Sequence, residues 1–264
     1  MYDDKLLIDG QIYVFKFLIR SVGIQNMSIN HIRLCTNLDK FDTLQHNLIL
    51  IKMKKSLLLT TLTAIGFAGF AQTFVSTSPE NRNAVLEEFT GIYCTFCPDG
   101  HLRAQNLYAA NPGDVVLVNV HVGSYANPSG NDPDFRTSFG TALANQSGVC
   151  GYPAGTMNRE YFPNYFQTDN SGQPCGTEPI AQGRGSWETT GALVIAESSP
   201  VNVAAQASLD LSTGKLTVVA EVYYTGNAVE STNYLTVAVT QDGVIGPQTG
   251  SGANPTQVNP DGTY

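Results

Sequence analysis

The chain reads as an α/β unit over residues 80–197 followed by an all-β module over residues 200–264. Three observations predict this. A strand, a helix and a second strand succeed one another between residues 83 and 122. After Ser198-Ser199-Pro200 the pattern changes to runs that alternate apolar and polar residues. A Cys-x-x-Cys sits at the first strand-to-helix turn. Parallel strands joined by a helix make α/β units, and alternation broken by turn residues makes antiparallel sheets.

Ahead of these, Met53-Lys54-Lys55-Ser56 leads into an apolar run from Leu57 that closes on Gly69-Phe70-Ala71. A basic start, a short apolar stretch and small residues at the end are the marks of a secretory signal peptide, here 53–71. Because such a signal works only from a chain's start, residues 1–52 are expected to be a spurious upstream extension, with Cys35 in it. The exported product is expected in the periplasm, associated with the outer membrane, or outside the cell. No later run is long and apolar enough for a membrane-spanning helix.

Charge agrees with that division. Residues 1–71 carry eight Lys/Arg against five Asp/Glu, whereas residues 72–264 carry six against seventeen. A surface with a net charge of −11 repels phosphate backbones, so nucleic acid is excluded as a partner.

Within the α/β unit, Asn83 to Phe89 reads as a short strand ending at Thr90-Gly91. Cys97 to Ala110 reads as a helix, with Pro98 tolerated in its first turn and Asn111-Pro112-Gly113 stopping it. Val115 to Val122 is nearly all apolar, which predicts a central strand buried on both faces. Ser124 to Pro133 is loop, and Asp134 to Ala144 is expected to be helical, capped by Asp132 or Asp134. Ser186 to Glu197, with the single Trp187, reads as a last helix. In the second module Val201–Leu209, Lys215–Tyr224 and Asn233–Gln241 read as a β-meander. Three strands are too few for a sandwich, so the module is expected to be incomplete at Tyr264.

Export leaves four cysteines, Cys94, Cys97, Cys150 and Cys175, with three pairings open. Cys94 and Cys97 lie at a helix start, where unsatisfied N–H groups and the helix dipole favour thiolate over thiol. Cys94 is expected to be the exposed nucleophile and Cys97 the resolving thiol, with a closed structural disulfide as the alternative. Cys150 and Cys175 can close a loop as a structural disulfide. Alternatively Cys150, three residues before Pro153, is a third exchanging thiol. Cys94, Cys97, His101 and His121 are a candidate zinc set, but oxidation competes and no metal is expected. His101 is expected to be a solvated helix residue and His121 a strand end. Asp132 and Asp134 read as solvated loop acids. No Gly-x-Ser-x-Gly, phosphate loop or His-Glu-x-x-His occurs, and no cofactor is expected.

The order of elements, the Cys-x-x-Cys and the later Tyr152-Pro153 in a glycine-rich loop resemble the thioredoxin fold. Glu88-Phe89-Thr90-Gly91, Cys94-Thr95-Phe96-Cys97-Pro98-Asp99-Gly100 and Tyr152-Pro153 with Asn158-Arg159 resemble the outer-membrane-protein-28-related family. The likeness covers most of residues 83–245. It implies a signal peptide, a thioredoxin-like domain and a C-terminal Ig-like β-sandwich in the cell envelope. By the thioredoxin resemblance, Pro153 is a cis proline facing the cysteines and Tyr152 lies beside the substrate chain. The implied activity is thiol–disulfide exchange, and the implied partners are protein thiols or disulfides. The alternative is a non-catalytic envelope or surface protein that binds a protein partner.

Overall fold

A computed structural model describes residues 74–250, apart from 211, 214 and 228–231, together with the backbone of three strands within 5–38. The expected signal peptide, 53–71, and the chain end, 251–264, lie outside the described residues. The elements in order are β1 (Lys5–Ile8), β2 (Gln11–Gly23), β3 (His31–Leu38), β4 (Glu80–Asn81), β5 (Ala84–Thr90), α1 (Cys97–Ala110), β6 (Val115–His121), α2 (Ser138–Ser147), β7 (Ala154–Met157), β8 (Gln182–Gly183), α3 (Trp187–Ala196), β9 (Ser198–Ser199), β10 (Val201–Asp210), β11 (Lys215–Tyr224) and β12 (Thr232–Asp242). The fold is mixed α/β, with several sheets and few helices.

The sheet that matters for the site runs β6-β5-β7-β8. β6 is parallel to β5, whereas β7 lies antiparallel on its other side. All seven residues of β5 are buried. The central strand is therefore β5, not the Val115–Val122 segment. β6 is an edge strand in which Asn119 is exposed. Its apolar run reflects cover from the helices rather than a neighbour on each side.

Alternation along β5 sends successive side chains to opposite faces. Ala84 and Leu86 pack with Ala104 and Leu107 of α1 and with Trp187 and Val194 of α3. Phe89 packs with Val120, Val122, Ala144 of α2 and Ala154. Burying Leu86, Phe89 or Trp187 is worth about 2–3 kcal/mol each, so this strand anchors both layers.

Local chemistry sets the element ends. In α1, Asn111 caps the last turn by donating from Nδ2 to the Leu107 carbonyl at 2.9 Å. α2 starts four residues later than the sequence suggests. Thr137, not Asp132 or Asp134, is its cap, with Oγ1 accepting from the Gly140 N–H at 2.9 Å. The Asp134 carboxylate is engaged by the Arg136 guanidinium instead, at 2.7 Å and 2.8 Å. After β7, Asn158 and Arg159 both adopt positive φ, 53° and 52°. Asn158 accepts from the Val85 N–H and donates to the Asn83 carbonyl, which ties the turn to β5. Arg159 forks onto the buried Glu87 carboxylate of β5.

Past Pro200 the three expected strands are present, but they do not form one meander. β10 pairs with β11, and β11 with β3. β12 pairs with β2, which also pairs with β1. Alternation specifies a strand and its faces; the partner comes from tertiary packing. Residues within 1–52 thus supply strands to both sheets. The buried Glu221 of β11 accepts from the N–H groups of Phe74 and Val75, at 2.8 Å and 3.2 Å. Asn202 of β10 donates to the Ser76 and Ser78 carbonyls. The connecting segment 74–78 is fastened to the second module by these bonds.

Candidate functional site

The site grows out of the C-terminal end of β5. Gly91 follows, and a β-carbon there would lie 2.5 Å from the Tyr125 carbonyl carbon, so only glycine lets the two loops meet. The turn is held by Tyr93 N–H to the Tyr125 carbonyl at 3.0 Å and Cys94 N–H to the Gly91 carbonyl at 2.9 Å. α1 then begins at Cys97, with Phe96 at its cap and no side-chain capping bond, and the Cys97 N–H donates to the Cys94 carbonyl at 3.2 Å.

Cys94 and Cys97 form a disulfide across this turn, with Cα atoms 5.4 Å apart. Cys94 is 2% exposed and Cys97 0%. Cys94 is therefore not the exposed nucleophile the sequence suggests. Its loop is covered by a distant part of the chain: Gln248 Nε2 donates to the Cys94 carbonyl at 3.0 Å, and Thr249 N–H to the Ile92 carbonyl at 2.8 Å. The exposed residue between the cysteines is Phe96, over which Arg184 stacks at 5.7 Å. Arg184 and Arg103 both donate to Asp99 in the first turn of α1. Burial pushes the Asp99 carboxyl up, but these two guanidinium groups prevail and hold it below its usual range.

Beneath that turn lies a buried polar group that sequence reading missed. Glu88 on β5 accepts at Oε2 from His101 Nδ1 at 3.1 Å, and His101 Nε2 lies 3.3 Å from Thr90 Oγ1. All three residues are buried, so His101 is not a solvated helix residue. It faces the sheet because position 101 falls on the buried stripe of α1 with Cys97, Pro98 and Ala104. The available signal was Glu87-Glu88 inside an otherwise apolar strand. Among the described residues Glu88 Oε1 has no hydrogen-bond partner. His121, at the end of β6, is pushed down to about 4, first by burial and then by the charge of His101. Its ring meets Phe135 at 5.1 Å.

The Tyr152–Pro153 bond is cis. Pro153 packs against α1: a β-carbon on Gly100 would lie 2.9 Å from Pro153 Cγ and 2.5 Å from Glu88 Oε1. Cys97, Gly100, Glu88 and Pro153 thus converge on the first turn of α1. The Tyr152 hydroxyl reaches Gly123, and its ring meets Tyr125 edge-on at 5.9 Å. Burial raises the Tyr152 hydroxyl above its usual pKa.

Cys150 and Cys175 form the second disulfide, with Cα atoms 6.0 Å apart. Cys150 is exposed and Cys175 is 7% exposed. Both main-chain N–H groups bond to Gln167, through its side chain and its carbonyl respectively. An open groove of about 790 Å³ runs beside this bridge, lined in part by Arg136, Asn145, Tyr152 and Asp169. Among the described residues no cluster of three His, Cys, Asp or Glu side chains has the arrangement of a metal site. Asp132 accepts a bond from the Tyr93 hydroxyl.

No protein-family description matches the chain, and no curated protein matches it. Among solved structures, HBP35 of Porphyromonas gingivalis is similar over 64% of this chain and 77% of its own, at 10% identity and a TM-score of 0.32.

Proposed function

We propose that residues 80–197 act as a thioredoxin-like domain of an exported cell-envelope protein of the outer-membrane-protein-28-related kind. In this reading Cys94 and Cys97 exchange disulfides with partner proteins. The observation that carries it is the Cys94–Cys97 bridge at the uncapped N-terminus of α1. There the positive end of the helix dipole stabilises a thiolate, which makes it a good leaving group. Two disulfides among the four cysteines past residue 72 fit an oxidising compartment, as does the signal-like segment 53–71.

In the oxidising direction a partner thiolate attacks Cys94 Sγ, the Cys94–Cys97 bond breaks, and Cys97 leaves as a thiolate. A second partner thiolate then attacks the partner sulfur of the mixed disulfide and releases Cys94. The partner's two thiols become a disulfide, and their two electrons and two protons end on Cys94 and Cys97. In the reducing direction Cys94 attacks a partner disulfide and Cys97 resolves it. Glu88 and His101 pair beneath the turn that bears Cys97, both buried. By the thioredoxin resemblance Tyr152 and Pro153 take the role of substrate-side residues, a reading supported by the packing of Pro153 against Gly100 in the first turn of α1.

The burial of both sulfurs favours a second reading, in which the bridge is a closed clamp in a scaffold that binds an envelope partner. Equilibration of the full chain in glutathione buffers, with alkylation and mass readout, separates the two. Exchange requires a Cys94–Cys97 potential between about −120 and −270 mV; a bridge still closed below about −300 mV selects the scaffold.

A further inference from the structure

We propose that residues 246–250 are a resident strap over the Cys94–Cys97 loop, and that a partner protein must displace them to reach Cys94. The inference rests on the exchange function proposed above and adds a gate to it. Four observations carry it.

First, the strap bonds to the loop through main-chain carbonyls on the cysteine side. Gln248 Nε2 donates to Cys94 at 3.0 Å and to Gly91 at 3.3 Å, and Thr249 N–H donates to Ile92 at 2.8 Å. These partners lie more than 150 positions away in sequence, so the contact is tertiary. Second, the loop beneath is closed off: Ile92 and Cys94 are each 2% exposed, although they lie in a turn rather than in a strand or helix. Third, the strap passes so near Phe135 that a β-carbon on Gly246 would lie 2.6 Å from the ring. Phe135 in turn covers His121.

The fourth observation concerns how weakly the strap is tied to the rest of the fold. It leaves β12 through Gly243, at φ 68°, followed by the exposed Val244 and Ile245. Among the described residues it belongs to no sheet or helix, and it is held to the loop by the few hydrogen bonds given above. Segments of that kind open locally at a small fraction of the free energy of global unfolding. The carbonyls of Gly91, Ile92 and Cys94 form a row of acceptors, which an extended polypeptide offering a carboxamide and a main-chain N–H satisfies. The strap Gly246-Pro247-Gln248-Thr249 offers that pair of donors. An incoming segment that presents the same donors exchanges one set of bonds for another, which keeps displacement inexpensive.

The test uses the full chain with Gln248→Ala and, separately, Thr249→Pro, which removes the main-chain donor to Ile92. The rate at which dithiothreitol opens each disulfide is followed by iodoacetamide trapping and peptide mass. Amide hydrogen exchange over residues 91–97 is read in the same samples. Each variant is expected to open the Cys94–Cys97 bridge roughly 5- to 30-fold faster than the parent, the range set by losing one or two hydrogen bonds. Exchange at 91–97 rises with it, while the Cys150–Cys175 rate stays unchanged. Equal Cys94–Cys97 rates in the parent and both variants overturn the strap. Faster opening without any turnover of a protein disulfide keeps the strap and removes the exchange function, so the two failures are distinguishable.

Discussion

The His101 imidazole and the Glu88 carboxylate meet at 3.1 Å beneath the first turn of α1, both almost sealed from water. Burying such a pair is costly unless the partners satisfy each other, and removing one leaves the other stranded. His101→Leu is therefore expected to lower stability by about 2–4 kcal/mol. Urea unfolding reads this as a lower midpoint at an unchanged slope. Glu88→Gln keeps the shape and a hydrogen bond, and is expected to cost less than His101→Leu. A larger loss for Glu88→Gln would contradict the pairing.

His121 makes stability depend on pH. Its pKa in the folded chain is about 4, below the ordinary 6.5, because burial and the neighbouring His101 disfavour its charged form. Between those values the unfolded chain binds the proton more readily than the folded one. The stability that depends on this group is thus fully present above pH 6.5 and is lost as pH drops toward 4, by at most about 3 kcal/mol. His121→Gln is expected to flatten the midpoint-versus-pH curve across that window. An unaltered curve would show that His121 is not the group responsible.

Gly100 is a glycine inside a helix, where alanine would ordinarily stabilise by about 1 kcal/mol. Here the added carbon meets Glu88 Oε1 at 2.5 Å and Pro153 at 2.9 Å. Overpacking of this kind costs about 1–3 kcal/mol, so Gly100→Ala is expected to destabilise on balance. A melting temperature that rises would mean the turn has room that the geometry denies.

The Cys150–Cys175 bridge closes a loop with a sequence separation of 25. Its loss through the double change Cys150→Ser, Cys175→Ser is expected to cost about 3 kcal/mol by loop entropy. Because Cys150 is exposed, this bridge is also expected to open before the buried Cys94–Cys97 bridge under graded reduction with dithiothreitol. Peptide mapping of trapped thiols gives the order directly. If Cys94 is alkylated first, burial is not what controls access to these sulfurs.

The sequence by itself determined much of the α/β unit. The helix from Cys97 to Ala110 was readable to the residue, since Pro98 and Asn111-Pro112-Gly113 act within one turn of chain. The strands at 84–90, 115–121, 201–210 and 215–224 were readable from their apolar patterns. Such signals are local: a propensity, a cap or an alternation involves residues a few positions apart. The start of α2 differs from the expected one for a reason that is local too: Arg136 engages Asp134 two positions away, and Thr137 caps the helix in place of the acids.

Only the tertiary structure decided which strand is central, which strands pair after Pro200, and what surrounds Cys94. β5 is central because β7 arrives on its free side from some 65 residues downstream. His101 is buried because α1 packs on the sheet face that carries Glu88, and Cys94 is covered by a segment some 150 residues later. Local sequence sets which face of an element is apolar, but not what comes to lie on it. That depends on contacts between residues far apart in the chain, whose closure no window of sequence encodes.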